Sequence, residues 1–314
     1  MGAGVSSSTI SDDSVNGVFK HSSSRTTRRR KLEDIPESCI ALVLGHLDPP
    51  QICHLARLNR AFRGASSADF IWENKLPSNY SFIIHLISSQ NCDEININNS
   101  INNEGDQEDD YYCDSYNLGY TTKKDIFARL SRPNLFDAGT KEVWVDKNTG
   151  GVWLSISSKA LSINGINDRR YWNHIPTDES SFQTVAYLTQ IWWFEVCGEL
   201  DFKFPTGTYS LFFRLQLGKS TKRFGRRTCN MEHIHGWGVK PVQLQLSTSD
   251  GQQAVSQHYL DNPGSWVLYH GGDFVVKDSN KIMKVKFSAR QIDCTHTKGG
   301  LSLDNVLICP KSVR

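Results

Sequence analysis

Residues 32–76, LEDIPESCIALVLGHLDPPQICHLARLNRAFRGASSADFIWENKL, decide how the chain is read. Asp34 is placed to cap a helix whose third residue is Glu37, the capping-box spacing, and Pro36 is tolerated in a first turn. Ile40, Val43, Leu44 and Leu47 follow at i, i+3, i+4 and i+7, one face of an amphipathic helix. Asp48-Pro49-Pro50 is a second start signal, and Ile52, Leu55, Ala56 and Asn59 continue the spacing. Phe62, Ala65, Phe70, Ile71 and Trp72 complete the segment. Helices this short offer more apolar surface than they can bury on one another, so the unit must dock on a partner or on its own chain.

In detail the segment resembles an F-box. Ile35-Pro36 stands where that family has Leu-Pro, Asp48-Pro49 opens the second helix, and Ala68-Asp69-Phe70-Ile71-Trp72 is similar to the closing Asp-Pro-x-Leu-Trp. The resemblance implies binding to the Skp-type adaptor of a cullin-RING ubiquitin ligase of the SCF type. Ile35, Pro36, Ile40, Leu44, Ile52 and Leu55 are expected at the adaptor interface, with some of them packing internally.

Around this unit the composition is that of an ordinary soluble protein. The 314 residues suggest about two domains. A net charge of +2 argues against a surface adapted as a whole to nucleic acid, and no nucleic-acid partner is expected. No apolar run is long enough to span a bilayer, and the N-terminus lacks a secretory core. Eight scattered cysteines without a CxxC pair then read as reduced thiols of the cytoplasm or nucleus.

Residues 1–31 read as a disordered tail. Met1-Gly2-Ala3-Gly4-Val5-Ser6 fits the pattern for acylation of Gly2, and Arg25, Arg28, Arg29, Arg30 and Lys31 follow. One acyl chain with a basic cluster can hold a protein at an anionic membrane surface, although the same basic run reads equally as a nuclear address. Residues 32–78 are assigned to the F-box and 79–120 to a linker. Between Asn91 and Asn117 the linker is rich in Asn, Asp and Glu, contains no Lys or Arg, and lacks the ligand spacing of a calcium loop.

Residues 121–314 form the remaining domain, with a helix over Lys123–Leu130 and then the rhythm of short strands. Val143–Val145 and Val152–Ile156 flank a turn and predict a hairpin. Further strands are expected at Ile191–Cys197, Tyr209–Leu217, Val242–Leu246, Trp266–Tyr269, Phe274–Val276, Ile282–Phe287 and Asn305–Ile308, with turns at Ser249-Asp250-Gly251 and Gly271-Gly272. The fold class is therefore α+β, a small helical unit followed by an antiparallel β-sandwich.

Leu161-Ser162-Ile163, Tyr171-Trp172, Trp192–Val196, Gly207-Thr208-Tyr209 and the Asp304–Pro310 ending resemble the plant phloem protein two family, related to the tobacco jasmonate-induced lectin. The resemblance implies a jelly-roll-like sandwich and recognition of N-acetylglucosamine-containing or high-mannose glycans. It assigns Trp172 as a ring on which a sugar stacks, while the second ring of the lectin falls on Gly165. Asn167, Asp168 and Asn173 are the polar neighbours that would meet hydroxyls. A core role for Trp172 stands beside that assignment. Trp192 and Trp193 alternate along a strand, so at least one is expected in the core.

Catalytic chemistry is sparse. No nucleophile elbow or P-loop occurs, and Glu195, Glu199 and Asp201 share one strand without implying a facing carboxylate pair. Cys229, His233, His235, Cys294 and His296 match no zinc pattern, so no metal or cofactor is expected. Lys219, Lys222, Arg223, Arg226 and Arg227 read as a solvated basic loop. The sequence thus points to a non-enzymatic substrate receptor of a ubiquitin ligase whose sandwich holds a glycoprotein or protein target. The alternatives are a membrane-associated carbohydrate-binding protein without a ligase role and a glycan-processing enzyme.

Overall fold

The computed structural model describes residues 35–93, 122–223 and 226–311. The acylation pattern at Gly2, the basic run Arg25–Lys31, Asp34 and the acidic segment after residue 93 lie outside them. From Pro36 onward the described residues belong to one compact unit.

The helical part opens with α1 (Glu37–Gly45), α2 (Pro49–Leu55), α3 (Arg60–Ala65) and α4 (Asp69–Glu73). Contrary to the expected Asp34 cap, α1 starts after Pro36, whose carbonyl accepts the Cys39 and Ile40 N–H groups. Pro36 fits this position because its own missing N–H would be unpaired there anyway. At α2 the Gln51 side chain accepts the Asp48 N–H at 3.2 Å, and Pro49 occupies the first turn. Asn59 caps α3 by accepting the Phe62 N–H at 2.9 Å, so it begins a helix where the spacing had it continuing one. Trp72 of α4 is buried, and its indole N–H donates to the Ser66 carbonyl at 2.8 Å.

Residues 79–120 do not begin as a linker. Tyr80–Asp93 is a fourteen-residue helix, α5, with Ile83, Ile84 and Ile87 buried. Each isoleucine taken from water contributes about 1.5–3 kcal/mol, enough to override the polar composition of the helix end. The expected helix over Lys123–Leu130 is present as α6, capped by Thr122.

Two large antiparallel sheets and a two-stranded one make up the rest of the described residues. The first contains β1 (Asn134–Phe136), β2 (Lys141–Val145), β3 (Val152–Ser157), β5 (Trp172–Pro176), β6 (Thr184–Leu188), β8 (Gly207–Leu217), β13 (Trp266–Val276) and β15 (Leu301–Pro310). Strand β15 is its spine. It pairs with β8 along one side, and on the other with β6 at Leu301–Leu303 and with β3 at Asn305–Ile308. The second sheet runs β12 (Gln253–His258), β11 (Val242–Thr248), β14 (Met283–Gln291), β7 (Phe194–Phe202), β4 (Ser162–Ile163). Residues Lys219–Arg223 (β9) and Arg226–Asn230 (β10) pair as a hairpin, so the expected basic loop is a strand pair.

The β2–β3 hairpin lies where alternation put it, and Trp144 faces Trp153 across it with rings 5.8 Å apart. Gly271-Gly272 is not the expected turn. β13 runs straight through it, with a register shift between His270 and Gly272. The glycine is needed because a Cβ on Gly272, at φ +151°, would stand 2.5 Å from the Ala254 Cβ on the facing sheet. β12, an edge strand, exposes Gln253, Val255 and Gln257 and buries no large apolar residue, so it gave no apolar alternation to find it by.

Between the sheets lies one apolar core that continues into the helices. Phe213 of β8 meets Phe287 of β14 edge-on at 6.0 Å. At the helical end Phe82 of α5 packs on Phe202 at 5.3 Å, Phe202 on Phe204 at 4.9 Å, and Phe204 on Phe274 at 5.5 Å. The Asn79 amide donates to the Lys203 carbonyl at 2.6 Å, and Trp72 packs on Phe127 of α6 at 5.2 Å. The helical unit and the sandwich are therefore not the separately cored domains that a boundary at residue 78 implies.

Candidate functional site

Helix α1 is the first candidate because its two faces differ. Ile40, Ala41 and Leu44 are buried and hold it to its neighbours, and Ile52 of α2 is buried with them. Leu42 and Val43, each 63 % exposed, point the other way, and Leu58 and Phe70 are also exposed. Of the residues expected at an adaptor interface, Ile40, Leu44 and Ile52 thus form the interior of the unit, Leu55 is half-buried, and Ile35 and Pro36 lie on the surface. A helix of 3.6 residues per turn brings Ile40 and Leu44 onto the core face, whereas Val43, the i+3 member of the expected stripe, is exposed beside Leu42, so the spacing located the face that holds the helix but misplaced Val43 on it.

The expected sugar site is not assembled. Trp172 is 1 % exposed, its indole N–H donates to the Asn164 carbonyl at 3.0 Å, and its ring stacks on Phe194 at 6.4 Å. A ring enclosed in this way offers no face to a sugar. Asp168 is engaged by Arg170 at 2.7 Å, and hydrogen bonds from the Arg170 side chain and backbone hold its carboxyl below the usual range. Asn173 donates to the Arg169 carbonyl at 3.2 Å, and Asn167 is exposed. Gly165 takes φ +77°, and a Cβ there would approach the Tyr171 ring at 3.3 Å.

The exposed tryptophans are Trp192 and Trp193, at 52 % and 44 %. Strand β7 begins only at Phe194, so alternation does not apply to this pair, and Phe194 takes the core position. Their backbone is held firmly. Lys298 is fully buried, and its ammonium donates to the carbonyls of Trp192 and Asp293, the latter at 2.6 Å. Burial pulls the pKa of this lysine down. Asn164 donates to the Trp193 carbonyl at 3.1 Å, and the Trp193 indole donates to Glu195 at 3.1 Å. A lone lysine in a loop carries no sequence signal for such a role.

Other charged groups are committed locally. Glu195 pairs with Arg290 at 2.8 Å, while Glu199 and Asp201 pair with Lys284 at 3.4 and 3.3 Å. Burial works to raise the carboxyl of Asp273, but hydrogen bonds from Lys311 and Ser210, both at 2.6 Å, and from His270 at 2.8 Å outweigh it and bring the pKa down to about 2. Asp304 is buried at a register shift in β15, where it accepts from Ser180 and Arg214. Among the described residues no three His, Cys, Asp or Glu side chains converge as metal ligands, and His296 and Cys294 bond instead to the carbonyls of Gly236 and Ile292. No helix among the described residues is long and apolar enough to cross a membrane.

A unit of short helices with exposed aliphatic side chains on α1 shares its core with a domain of two packed antiparallel sheets. Residues 152–310 match the family model described as Phloem protein 2. The F-box protein PP2-A13 of Arabidopsis thaliana is 57 % identical over 312 residues, covering 99 % of this chain and 97 % of that one. F-box proteins PP2-A12 and PP2-A11 of the same plant are 54 % and 52 % identical, each over 90 % of this chain and 89 % of theirs. The chain belongs to the phloem protein 2 family and is a plant F-box protein carrying that domain.

Proposed function

We propose that the chain is the substrate-recognition subunit of an SCF-type cullin-RING ubiquitin ligase. Its helical unit binds a Skp-type adaptor, and its sandwich, which we read as jelly-roll-like, holds a protein or glycoprotein target. The observation that carries this reading is the exposed Leu42–Val43 pair on a helix whose opposite face is locked into the core. Two adjacent aliphatic side chains at this exposure stay in water unless a partner covers them, and covering each contributes about 1.5–2 kcal/mol. Ubiquitin transfer then follows from raised local concentration and requires no catalytic residue in this chain. Relatives named as F-box proteins support the same role.

Co-purification of the full chain with a recombinant Skp-type adaptor tests the proposal. Leu42→Asp with Val43→Asp abolishes capture while the chain stays folded, and capture at the parent level by that folded variant removes the receptor role. Glycan recognition falls to the exposed, fixed rings of Trp192 and Trp193 in place of Trp172, and a glycan array with both changed to Ala tests it. Membrane association through Gly2 belongs to the same proposal. An intact-mass spectrum of plant-expressed protein without an acyl adduct ends it.

A further inference from the structure

The solvent-facing side of the second sheet is hollow, and strand register shows how the hollow is built. Ser162, Cys197, Ser288, Gln245 and Val255 are consecutive cross-strand neighbours from β4 to β12, forming one row across all five strands. Three of the five side chains are very short. The row on one side carries Glu195 and Arg290 as direct partners, and the row on the other carries Glu199 and Lys286. Long side chains flanking a row of short ones make a trough, and its free volume is about 760 Å³. Ser288 is buried and Cys197 and Gln245 are half-buried, and Lys141 and Ala160 from outside the sheet also line the hollow. An ordinary solvated sheet face carries polar residues too, but it does not recess a central row below two walls.

The chemistry of the trough restricts what fits. Its charged walls are internally neutralised. Arg290 pairs with Glu195 at 2.8 Å and donates to Gln245 Oε1 at 3.4 Å, Lys286 lies 4.0 Å from Glu199, and Lys141 pairs with Asp137 at 2.8 Å. A charged ligand would have to break one of these pairs. Phe287, the aromatic residue among the lining residues, turns its ring inward onto Phe213, so among the described residues the floor has no exposed ring for a sugar to stack on. The floor offers hydroxyls and carboxamides instead. A Gln side chain presents one C=O and one NH₂, the complement of a peptide group.

We propose that this trough binds an extended, uncharged polar polypeptide segment, rich in Ser, Thr, Asn, Gln or Gly, lying across the strands. Five strands at ~4.8 Å spacing give a floor of about 19 Å, which holds about six residues at ~3.3 Å each. The proposal deepens the receptor reading by naming the chemistry of the target, and it rests on that reading only for the consequence of binding.

The test uses the full chain and two pools of N-acetylated, C-amidated heptapeptides, one of Ser, Thr, Asn, Gln and Gly and the other with two positions acidic or basic. Chitopentaose serves as the glycan arm. The expected result is selective capture from the neutral pool, with the best peptide bound at least tenfold more weakly by Gln245→Ala and by Ser162→Arg. Gln245→Ala removes the central carboxamide, and Ser162→Arg blocks an exposed end. Both variants keep the parent unfolding midpoint and the parent capture of the adaptor, so loss of adaptor binding reports on the receptor reading and loss of peptide binding on the trough. Capture of neither pool, preference for the charged pool, peptide binding unchanged in both variants, or displacement of the peptide by chitopentaose each overturns the proposal.

Discussion

Truncating Trp172 separates a core role from a ligand role in one experiment. The indole is 1 % exposed, stacks on Phe194 at 6.4 Å and donates to the Asn164 carbonyl at 3.0 Å. Removing a buried Trp side chain costs about 3–5 kcal/mol through lost transfer energy and the cavity left behind. The Asn164 carbonyl also loses its donor, worth about 1 kcal/mol net. A central value of about 4 kcal/mol, at ~2–4 °C per kcal/mol for a large single unit, lowers the melting temperature by roughly 8–16 °C. Trp172→Phe keeps the stacking and gives a smaller drop, about 1–2 kcal/mol. The assay is thermal unfolding of the full chain by near-ultraviolet circular dichroism, with denaturant unfolding as a second probe. A melting temperature within about 2 °C of the parent, accompanied by loss of glycan retention, refutes the core assignment and restores the stacking role.

Four further outcomes follow from the same geometry. Leu42→Asp shifts stability by no more than about 0.5 kcal/mol, whereas Leu44→Asp, which forces a carboxylate into the core, leaves no folded helical unit; circular dichroism at 222 nm distinguishes them. Gly165→Trp, which would restore the second ring of the lectin, costs about 1–3 kcal/mol because φ +77° disfavours any side chain there, and a glycan array with this variant stays blank if the strain displaces the loop. Asp273 has its folded pKa at about 2, below the ordinary 3.8, so its contribution of up to about 2 kcal/mol is complete above pH 4 and is lost as pH falls toward 2. Asp273→Asn flattens stability over that window, and an unchanged acid limb speaks against the cluster. Phe82→Ala, by opening the contact with Phe202, lowers the midpoint for helical and β signals together, and a shift confined to the helical signal contradicts the shared core.

How far the fold was legible depended on whether local pattern and tertiary role agreed. Where one face of an element met the core and the other met water, the period sufficed, as in the β2–β3 hairpin, α6 and the start of α2. Helix α5 was obscured by its neighbours, since Asn and acidic residues follow it at once. The pairs Phe82-Ile83 and Leu86-Ile87, four residues apart, were the available signal. Gly271-Gly272 misled because a bulge and a turn require the same backbone freedom, and only the Ala254 methyl on the other sheet distinguishes them. The site was less legible than the fold. Apolar spacing found Ile40 and Leu44, which hold α1 in place, put Val43 on their face although it is exposed, and passed over Leu42, and the trough exists only through registers among five strands distant in sequence.

The aromatic seam from Phe82 through Phe202 and Phe204 to Phe274 has a mechanical consequence. A receptor whose two ends are joined by a hinge lets its cargo sample many orientations before the transfer enzyme. A receptor joined by packed rings and the Asn79–Lys203 hydrogen bond works as a bracket and presents its cargo in one pose. In the proposed receptor role, which surface lysines are reached is then decided by the shape of the bound target, and neither end can be grafted to another protein as a cassette without recutting the seam.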